Sequence, residues 1–171
     1  KDYFKAGLKV IKTLTENNIH LCVGVDFSLS LDEDNTIIEQ VFEGPHPAGL
    51  AGTHMHFLSP ATLTNINWSI NYQDVISFGE LFLTGKLPNK KIISLAGPQV
   101  LKPRHVETRI GACTDEICAG ELTHRDNRII SGSVINGREA IGPYAYLGKY
   151  HSQISVVCES SKVDREFMNW L

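Results

Sequence analysis

The sequence predicts an α/β unit followed by a smaller α+β unit of β-grasp or similar type. The chain opens with a helix-period pattern that leads directly into a short apolar run, the helix–strand order of α/β winding. After Pro88 the pattern changes to short strand-like segments around one short helix-like segment. The boundary between the two units is therefore expected near residues 85 to 90.

The opening helix is predicted over residues 3–16, with Asp2 as its N-cap. Its apolar positions recur at helical spacing, at Phe4, Leu8, Ile11 and Leu14. The adjacent residues Asn17 and Asn18 are expected to end it. Residues 19–25 follow as a predicted buried strand, so the first unit starts with a helix and a strand.

The rest of the first unit contains a second predicted helix. Residues 31–35 are acidic and predict a surface loop, and residues 36–42 predict either a short strand or the end of that loop. The second helix is predicted over residues 72–84, with Asn71 or a neighbour as its cap and Gly85 at its C-terminus. Its inward positions are expected to be Val75, Phe78 or Gly79, Phe82 and Leu83.

Short strands dominate the second unit. Residues 91–96 predict a strand that Gly97 and Pro98 end. Residues 105–110 alternate between polar and apolar side chains, which predicts a half-buried strand with one solvent-exposed face. Residues 114–119 predict one or two helical turns, and 128–133 and 153–157 predict further strands. The amphipathic stretch 162–171 is interpreted as the start of a further segment.

Composition excludes several classes of function. The 171 residues are 42% hydrophobic and 20% charged, as in an ordinary globular protein, and the net charge of −3 does not predict nucleic-acid binding. No apolar run approaches the roughly 18 residues of a membrane span. Any role at a membrane would then require a partner. The chain begins at Lys1 and shows no signal-peptide pattern, so we expect a piece of something longer.

The four cysteines do not predict a metal or iron–sulfur site. Cys113 and Cys118 are separated by four residues, which matches neither a zinc knuckle nor a ferredoxin motif. Cys22 and Cys158 lie in apolar strand-like runs, where a free cysteine acts as a small hydrophobe. All four are expected to be reduced and structural.

The segment from residue 42 to 57 is the most unusual part of the chain. It contains Gly44, Gly49 and Gly52 together with two prolines, a composition that predicts a shaped loop suited to binding. It also contains three histidines, His46, His54 and His56. In an extended segment, His54 and His56 would point to one side, so a metal site is an alternative hypothesis. Apart from Glu43, the segment offers no acidic or thiolate ligand to accompany them.

No motif for nucleophilic catalysis or nucleotide binding is present. No Gly-x-Ser-x-Gly elbow, Gly-x-Gly-x-x-Gly turn or Walker loop occurs. Tyr144, Tyr146 and Tyr150 lie in a stretch rich in Gly and Pro and predict anchors at a protein interface, with stacking on a flat ligand as the alternative.

Several long motifs resemble one family. Residues 42–60, 69–76, 93–98 and 129–134, with Gly142-Pro143 and residues 146–149, closely resemble the A subunits of the sodium-translocating NADH:quinone oxidoreductases. The family is similar to the C subunit of the Rnf complex and to the NADH-binding subunit of respiratory complex I. The resemblance implies the later part of a Rossmann-like domain at 1–86, a soluble-ligand-binding β-grasp (SLBB) domain at 87–160, and the start of a C-terminal segment at 161–171.

The resemblance also implies a function. The family's complex passes electrons from NADH through flavins and iron centres to ubiquinone and exports sodium. This subunit would lie peripherally on the cytoplasmic face of the bacterial inner membrane and dock chiefly on the membrane-embedded B subunit. The chain departs from the complex I relative because it lacks the cysteine set of an iron–sulfur cluster. We therefore expect no catalytic residue and no cofactor in this piece, and mainly a scaffold and docking role.

Two surfaces are expected to carry that docking. The first is the Gly/Pro/His segment, near the quinone side or the interface with the other subunits. The second comprises the solvent-facing side chains His105, Glu107 and Arg109 of the predicted strand, together with Tyr144, Tyr146 and Tyr150. Direct binding of quinone or flavin and metal binding through the histidines are the alternatives.

Overall fold

A computed structural model describes residues 1–27, 29, 36–123 and 126–159. The chain forms two compact units, Lys1–Pro88 and the part from Asn89 onward. The first is α/β and the second is α+β, so the predicted fold class is confirmed. The acidic loop predicted at 31–35 and the segment predicted at 161–171 lie outside the described residues. The domain limits 1–86 and 87–160 stay predictions.

The first unit contains three helices and a two-stranded parallel sheet among its described residues. Its elements in order are α1 (Asp2–Lys12), β1 (Ile19–Val23), β2 (Ile37–Val41), α2 (Ala51–Leu58) and α3 (Tyr72–Thr84). Strand β1 pairs with β2 in register from Ile19 opposite Ile37. Of the two options for residues 36–42, the structure has the strand.

Helix α1 is shorter than the prediction. It begins at Asp2, which therefore lies inside the helix and is not its cap, and it ends at Lys12. Thr13 donates from both its backbone N–H and its hydroxyl to the Val10 carbonyl, which closes the helix early. Leu14, predicted to face inward, is 73% exposed because it follows that closure.

The core of the first unit lies where helices α1 and α3 touch. A Cβ on Gly7 would lie 1.9 Å from the Val75 carbonyl oxygen, and one on Gly79 would lie 1.7 Å from the Tyr3 carbonyl oxygen. The two helices are therefore in backbone contact. The surrounding core comprises Leu8, Leu29 and Val75, packed against Phe4, Ile11, Leu21 and Ile37.

Helix α3 matches its predicted limits. The Asn71 side chain accepts a 2.9 Å hydrogen bond from the Gln73 N–H, and Gly85 ends the helix with φ of 70°. The prediction that Phe82 and Leu83 face inward was wrong, because both side chains are exposed. Gly79 lies against Tyr3, in the first turn of α1, and Phe82 and Leu83 lie about one turn further along α3.

The second unit is a five-stranded mixed sheet with one short helix among its described residues. Its elements are β3 (Lys90–Ala96), β4 (Arg104–Arg109), α4 (Thr114–Cys118), β5 (Asn127–Ser131), β6 (Arg138–Glu139) and β7 (Gln153–Cys158). The strand order is β4-β3-β7-β5-β6, with β3 and β7 parallel and the other pairs antiparallel. Strand β6 and a 3-10 turn at Gly142–Tyr144 were not predicted.

The central strands supply most of the second core. Ile93 and Leu95 of β3 and Ile154 and Val156 of β7 are almost fully buried. Side chains from α4 and the loops complete this core, chiefly Val100, Cys118 and Leu147. Strands β3 and β7 thus supply most of the buried apolar side chains, while β4 and β6 form the edges of the sheet.

We expect Gly79→Ala to lower the free energy of unfolding by about 1–3 kcal/mol, because the added methyl group forces the α1 and α3 backbones apart. Urea titration of the purified chain measures this change. The matched control is Gly52→Ala, also in a helix, where an added Cβ meets nothing within 4 Å. Equal stability of Gly79→Ala and the parent chain would contradict the backbone contact.

Candidate functional site

The Gly/Pro/His segment is a turn followed by a helix, and not one loop. Residues 44–50 form successive turns closed by Ala48 N–H to Pro45 O and Leu50 N–H to Pro47 O, at 3.0 and 2.9 Å. Helix α2 then begins at Ala51 and therefore contains Gly52, His54 and His56. The predicted single loop was wrong because residues 51–58, which include Ala51, Met55 and Leu58, lack proline and favour a helix.

His54 supports the local fold. Its Nε2–H donates to the Ala48 carbonyl at 2.7 Å, and its ring lies 4.2 Å from the ring of Phe42. The side chain thereby ties α2 to the preceding turn and to the end of β2. Its Nε2 is occupied by this hydrogen bond, so His54 acts as a structural histidine.

The metal hypothesis gains no support. At 3.6 residues per turn, His54 and His56 point to opposite sides of α2, whereas an extended segment would have put them on one side. His46 is exposed, and His56 lies edge-on to Phe57 at 5.3 Å. Among residues 1–27, 29, 36–123 and 126–159, no group of three or more His, Cys, Asp or Glu is placed to hold a metal.

A long uncharged surface surrounds this segment. From residue 44 to 73 the sequence contains no Asp, Glu, Lys or Arg, although 20% of the chain is charged. Trp68 in this stretch is 92% exposed. Other large apolar side chains there are also exposed: Leu50, Phe57, Leu63, Ile66, Ile70 and Tyr72. We call residues 44–73 the uncharged surface. The gap in charge along the sequence was the signal that could have located it.

Side-chain amides hold part of this surface in shape. Asn65 Nδ2 donates to the Ser59 hydroxyl and to the Pro60 carbonyl, both at 2.9 Å. Asn67 Nδ2 donates to the Ser59 carbonyl. These bonds close the loop between α2 and α3 on itself, so Leu63 and Trp68 are presented by an ordered backbone.

Gly49 and Gly52 lie on open parts of the uncharged surface. A Cβ on either residue would meet nothing within 4 Å. Gly44 has φ of 133°, in the region that favours glycine. Packing inside this unit therefore does not explain the glycines at 49 and 52.

The polar strand face of the second unit lies at a sheet edge. Strand β4 lies at the edge of the sheet, where it pairs with β3. Its exposed side chains include His105, Glu107 and Arg109. Glu107 forms a 2.7 Å ion pair with Lys90, and Glu107 and Arg109 line one shallow groove. Charged side chains on an edge strand also block pairing with another chain. Their role at an interface stays a prediction.

The three tyrosines are exposed beside basic residues. The guanidinium carbon of Arg138 lies 5.4 Å from the centre of the Tyr144 ring, and Arg138 Nη2 donates to the Tyr146 carbonyl at 3.1 Å. The Lys149 ammonium lies 5.7 Å from the centre of the Tyr150 ring. The sequence predicted these tyrosines as contacts but missed the basic residues that accompany them.

A Ser–His pair, with Ser131 buried and His151 half-buried, lies beside these basic residues. Ser131, fully buried in β5, lies 2.9 Å from His151 Nδ1 and accepts from the Gly148 N–H at 3.0 Å. The hydroxyl is therefore placed to donate to a neutral imidazole. Burial first, and then the charges of Arg138 and Lys91, lower the pKa of His151 from its ordinary 6.5.

The four cysteines are free thiols. Burial, with the nearby carboxylates Asp115 and Glu121, raises the pKa of Cys118 to about 11. Burial also raises the pKa of Cys22. These two are protonated at neutral pH and are poor nucleophiles.

Comparison with known proteins decides the family. The family model described as "NqrA second alpha/beta domain" matches residues 1–87, and the model for the "NQRA C-terminal domain", an SLBB domain, matches residues 92–141. The chain belongs to the NqrA family.

Curated NqrA relatives are similar along almost the whole chain. A protein from Vibrio anguillarum, named as the A subunit of the Na(+)-translocating NADH-quinone reductase, is 52% identical over 98% of this chain. Proteins of the same name from Vibrio atlanticus (strain LGP32) and Marinomonas sp. (strain MWYL1) are each 50% identical, over 99% and 98% of the chain. The chain spans about 37% of the length of each relative.

Within the described part of this NqrA-family chain, no helix is long and apolar enough to cross a membrane.

The depressed pKa of His151 has a defined effect on stability. Between the folded-state pKa and 6.5, the unfolded chain binds more protons at this site than the folded chain. The contribution of His151 to stability therefore rises with pH through that window and is lost as pH falls through it.

We expect Arg138→Gln to raise the pKa of His151, because the substitution removes one of the two cations that oppose its protonation. NMR titration of the imidazole signals measures the shift. Arg128→Gln is the control, since Arg128 pairs with Glu159 at 2.8 Å and is not among the charges acting on His151. An unchanged pKa in Arg138→Gln would show that the Arg138 charge does not reach the ring.

Proposed function

We propose that this chain is a scaffold and docking part of the A subunit of a sodium-translocating NADH:ubiquinone reductase. In this proposal the complex transfers electrons from NADH to ubiquinone and exports Na⁺, while flavins and iron centres bound elsewhere carry the redox chemistry. Residues 1–86 would be the later part of the Rossmann-like domain and residues 87–160 the SLBB domain.

The observation that carries the proposal is the uncharged surface. Charged residues are depleted at the core of protein interfaces, and Trp and Tyr are enriched there. Residues 44–73 have that composition, and Trp68 is exposed in the isolated chain. The asparagine bonds to Ser59 and Pro60 order the loop before binding, which lowers the entropy cost of association.

The chemistry of this surface favours a protein partner over a lipid surface. Segments that bind the anionic face of a membrane carry clusters of Lys and Arg. The uncharged surface has none, so it suits an equally uncharged protein surface. The proposed partner is the membrane-embedded B subunit, on the cytoplasmic face of the bacterial inner membrane. Ubiquinone contact with the same surface is the alternative, which titration of the chain with a ubiquinone analogue tests.

We expect the double variant Gly49→Val/Gly52→Val to fold normally but to assemble poorly into the complex. Both positions are open, so valine side chains fit without a clash in this unit and project into the partner. Co-purification of the full-length variant protein with the membrane subunits, together with quinone reduction by the complex, measures the effect. Trp68→Ala should weaken docking about tenfold or more, as the loss of a central Trp does at interfaces.

The matched control is Gly24→Val, which also meets nothing within 4 Å and lies outside the uncharged surface. It should assemble like the parent. Normal assembly and turnover in the double variant and in Trp68→Ala would refute docking through this surface.

A further inference from the structure

The second unit gathers three basic side chains from three parts of the chain. The Lys91 ammonium donates to the Lys149 carbonyl, which joins β3 to the loop before β7. Arg138 of β6 binds the Tyr146 carbonyl of the same loop. His151 lies close enough to Lys91 and Arg138 for both charges to lower its pKa. With Tyr144 and Tyr150, we call Lys91, Arg138 and Lys149 the basic tyrosine patch.

Two of these cations, Arg138 and Lys149, form no ion pair with an acidic side chain among the described residues. The ion pairs on this sheet join Lys90 to Glu107, Arg104 to Glu121, and Arg128 to Glu139 and Glu159. Glu139 follows Arg138 directly, but successive side chains of a strand point to opposite faces, and Glu139 pairs with Arg128 at 3.7 Å. Arg138 and Lys149 therefore present net positive charge in a chain whose overall charge is −3.

The patch is held in place by its own contacts. The Tyr146 carbonyl accepts one N–H of the Arg138 guanidinium, which has five, and the guanidinium carbon lies over the Tyr144 ring. The Tyr150 ring lies beside Lys149 in the same way. Both rings are exposed. The other N–H groups of the Arg138 guanidinium can bind carboxylate oxygens with little loss of side-chain freedom.

We propose that the basic tyrosine patch binds an acidic segment of another protein chain. The inference rests on the proposed docking function and adds a second contact of different chemistry. Tyr and Arg are enriched at protein interfaces, and paired Arg–carboxylate contacts give orientation as well as affinity. A membrane site of this kind uses clusters of about four to eight basic residues. The patch has three, so a protein segment with carboxylates suits it better.

The two contacts differ in their response to salt. Attraction between the patch and carboxylates acts at a distance, so it accelerates association and is screened by salt. Contacts made by the uncharged surface are short-ranged and act mainly on dissociation. Loss of the patch contact should therefore lower the association rate, whereas loss of the contact through the uncharged surface should raise the dissociation rate.

The experiment measures association of the labelled full-length protein with the purified complex that lacks it, over a range of KCl concentrations. We expect Arg138→Glu/Lys149→Glu to lower the association rate at low salt about tenfold or more and to flatten its salt dependence. The milder Arg138→Gln/Lys149→Gln should give an intermediate effect. Lys86→Glu/Lys102→Glu, at two exposed cations outside the patch, is the control because it changes the net charge by the same amount.

Rates and salt dependence equal to those of the parent in both patch variants would overturn the proposal. So would binding of the parent, but not of the variants, to vesicles of anionic phospholipid while association with the complex stays unchanged. If Trp68→Ala weakens docking while the patch variants do not, the docking function stands and the basic tyrosine patch has no part in it. If the patch variants slow association while Trp68→Ala leaves both the association rate and the dissociation rate unchanged, the uncharged surface fails instead.

Discussion

The backbone contact between helices α1 and α3 is the constraint on which the first unit depends. Gly7 and Gly79 bring the two helices close enough to exclude any side chain at the crossing. The small core of Leu8, Leu29 and Val75 gathers beside that crossing and covers Leu21 and Ile37 of the strand pair. Because Asn71 caps α3 at its first turn, the crossing also positions the loop that leads into α3. The exposed apolar side chains of residues 59–72 therefore extend from a firmly held helix.

The two units present surfaces of opposite chemistry. The uncharged surface contains Trp68 and other apolar side chains in a stretch without Asp, Glu, Lys or Arg. The basic tyrosine patch combines cations with exposed aromatic rings. A protein that joins larger neighbours benefits from both kinds, since apolar contact supplies most of the affinity and charge supplies orientation and speed of encounter. A redox role for the chain itself receives no comparable support from the described residues.

The histidines show why side-chain type alone does not define a site. His54 is bound to the Ala48 carbonyl and packs on Phe42, so it stabilises the turn that precedes α2, within the segment where an interface or a metal site was expected. His151 was not among the predicted site residues, yet it is hydrogen-bonded to the buried Ser131 and lies near the cations Arg138 and Lys91. Hydrogen-bond partners and neighbouring charges, not sequence proximity to other histidines, separate these roles.

Local signals in the sequence determined the fold class, the strands at the centre of the second unit and helix α3 with Asn71 and Gly85 at its ends. These features depend on apolar periodicity and capping within a few residues, which a single sequence displays. Long motifs also determined the family, which the matches to 1–87 and 92–141 confirm. Only the tertiary structure decided that Gly7 and Gly79 bring α1 and α3 into backbone contact and that Phe82 is exposed. It also decided that Lys91 and Arg138 lie near His151. Each of these outcomes depends on contacts between residues distant in the chain, which local periodicity does not encode.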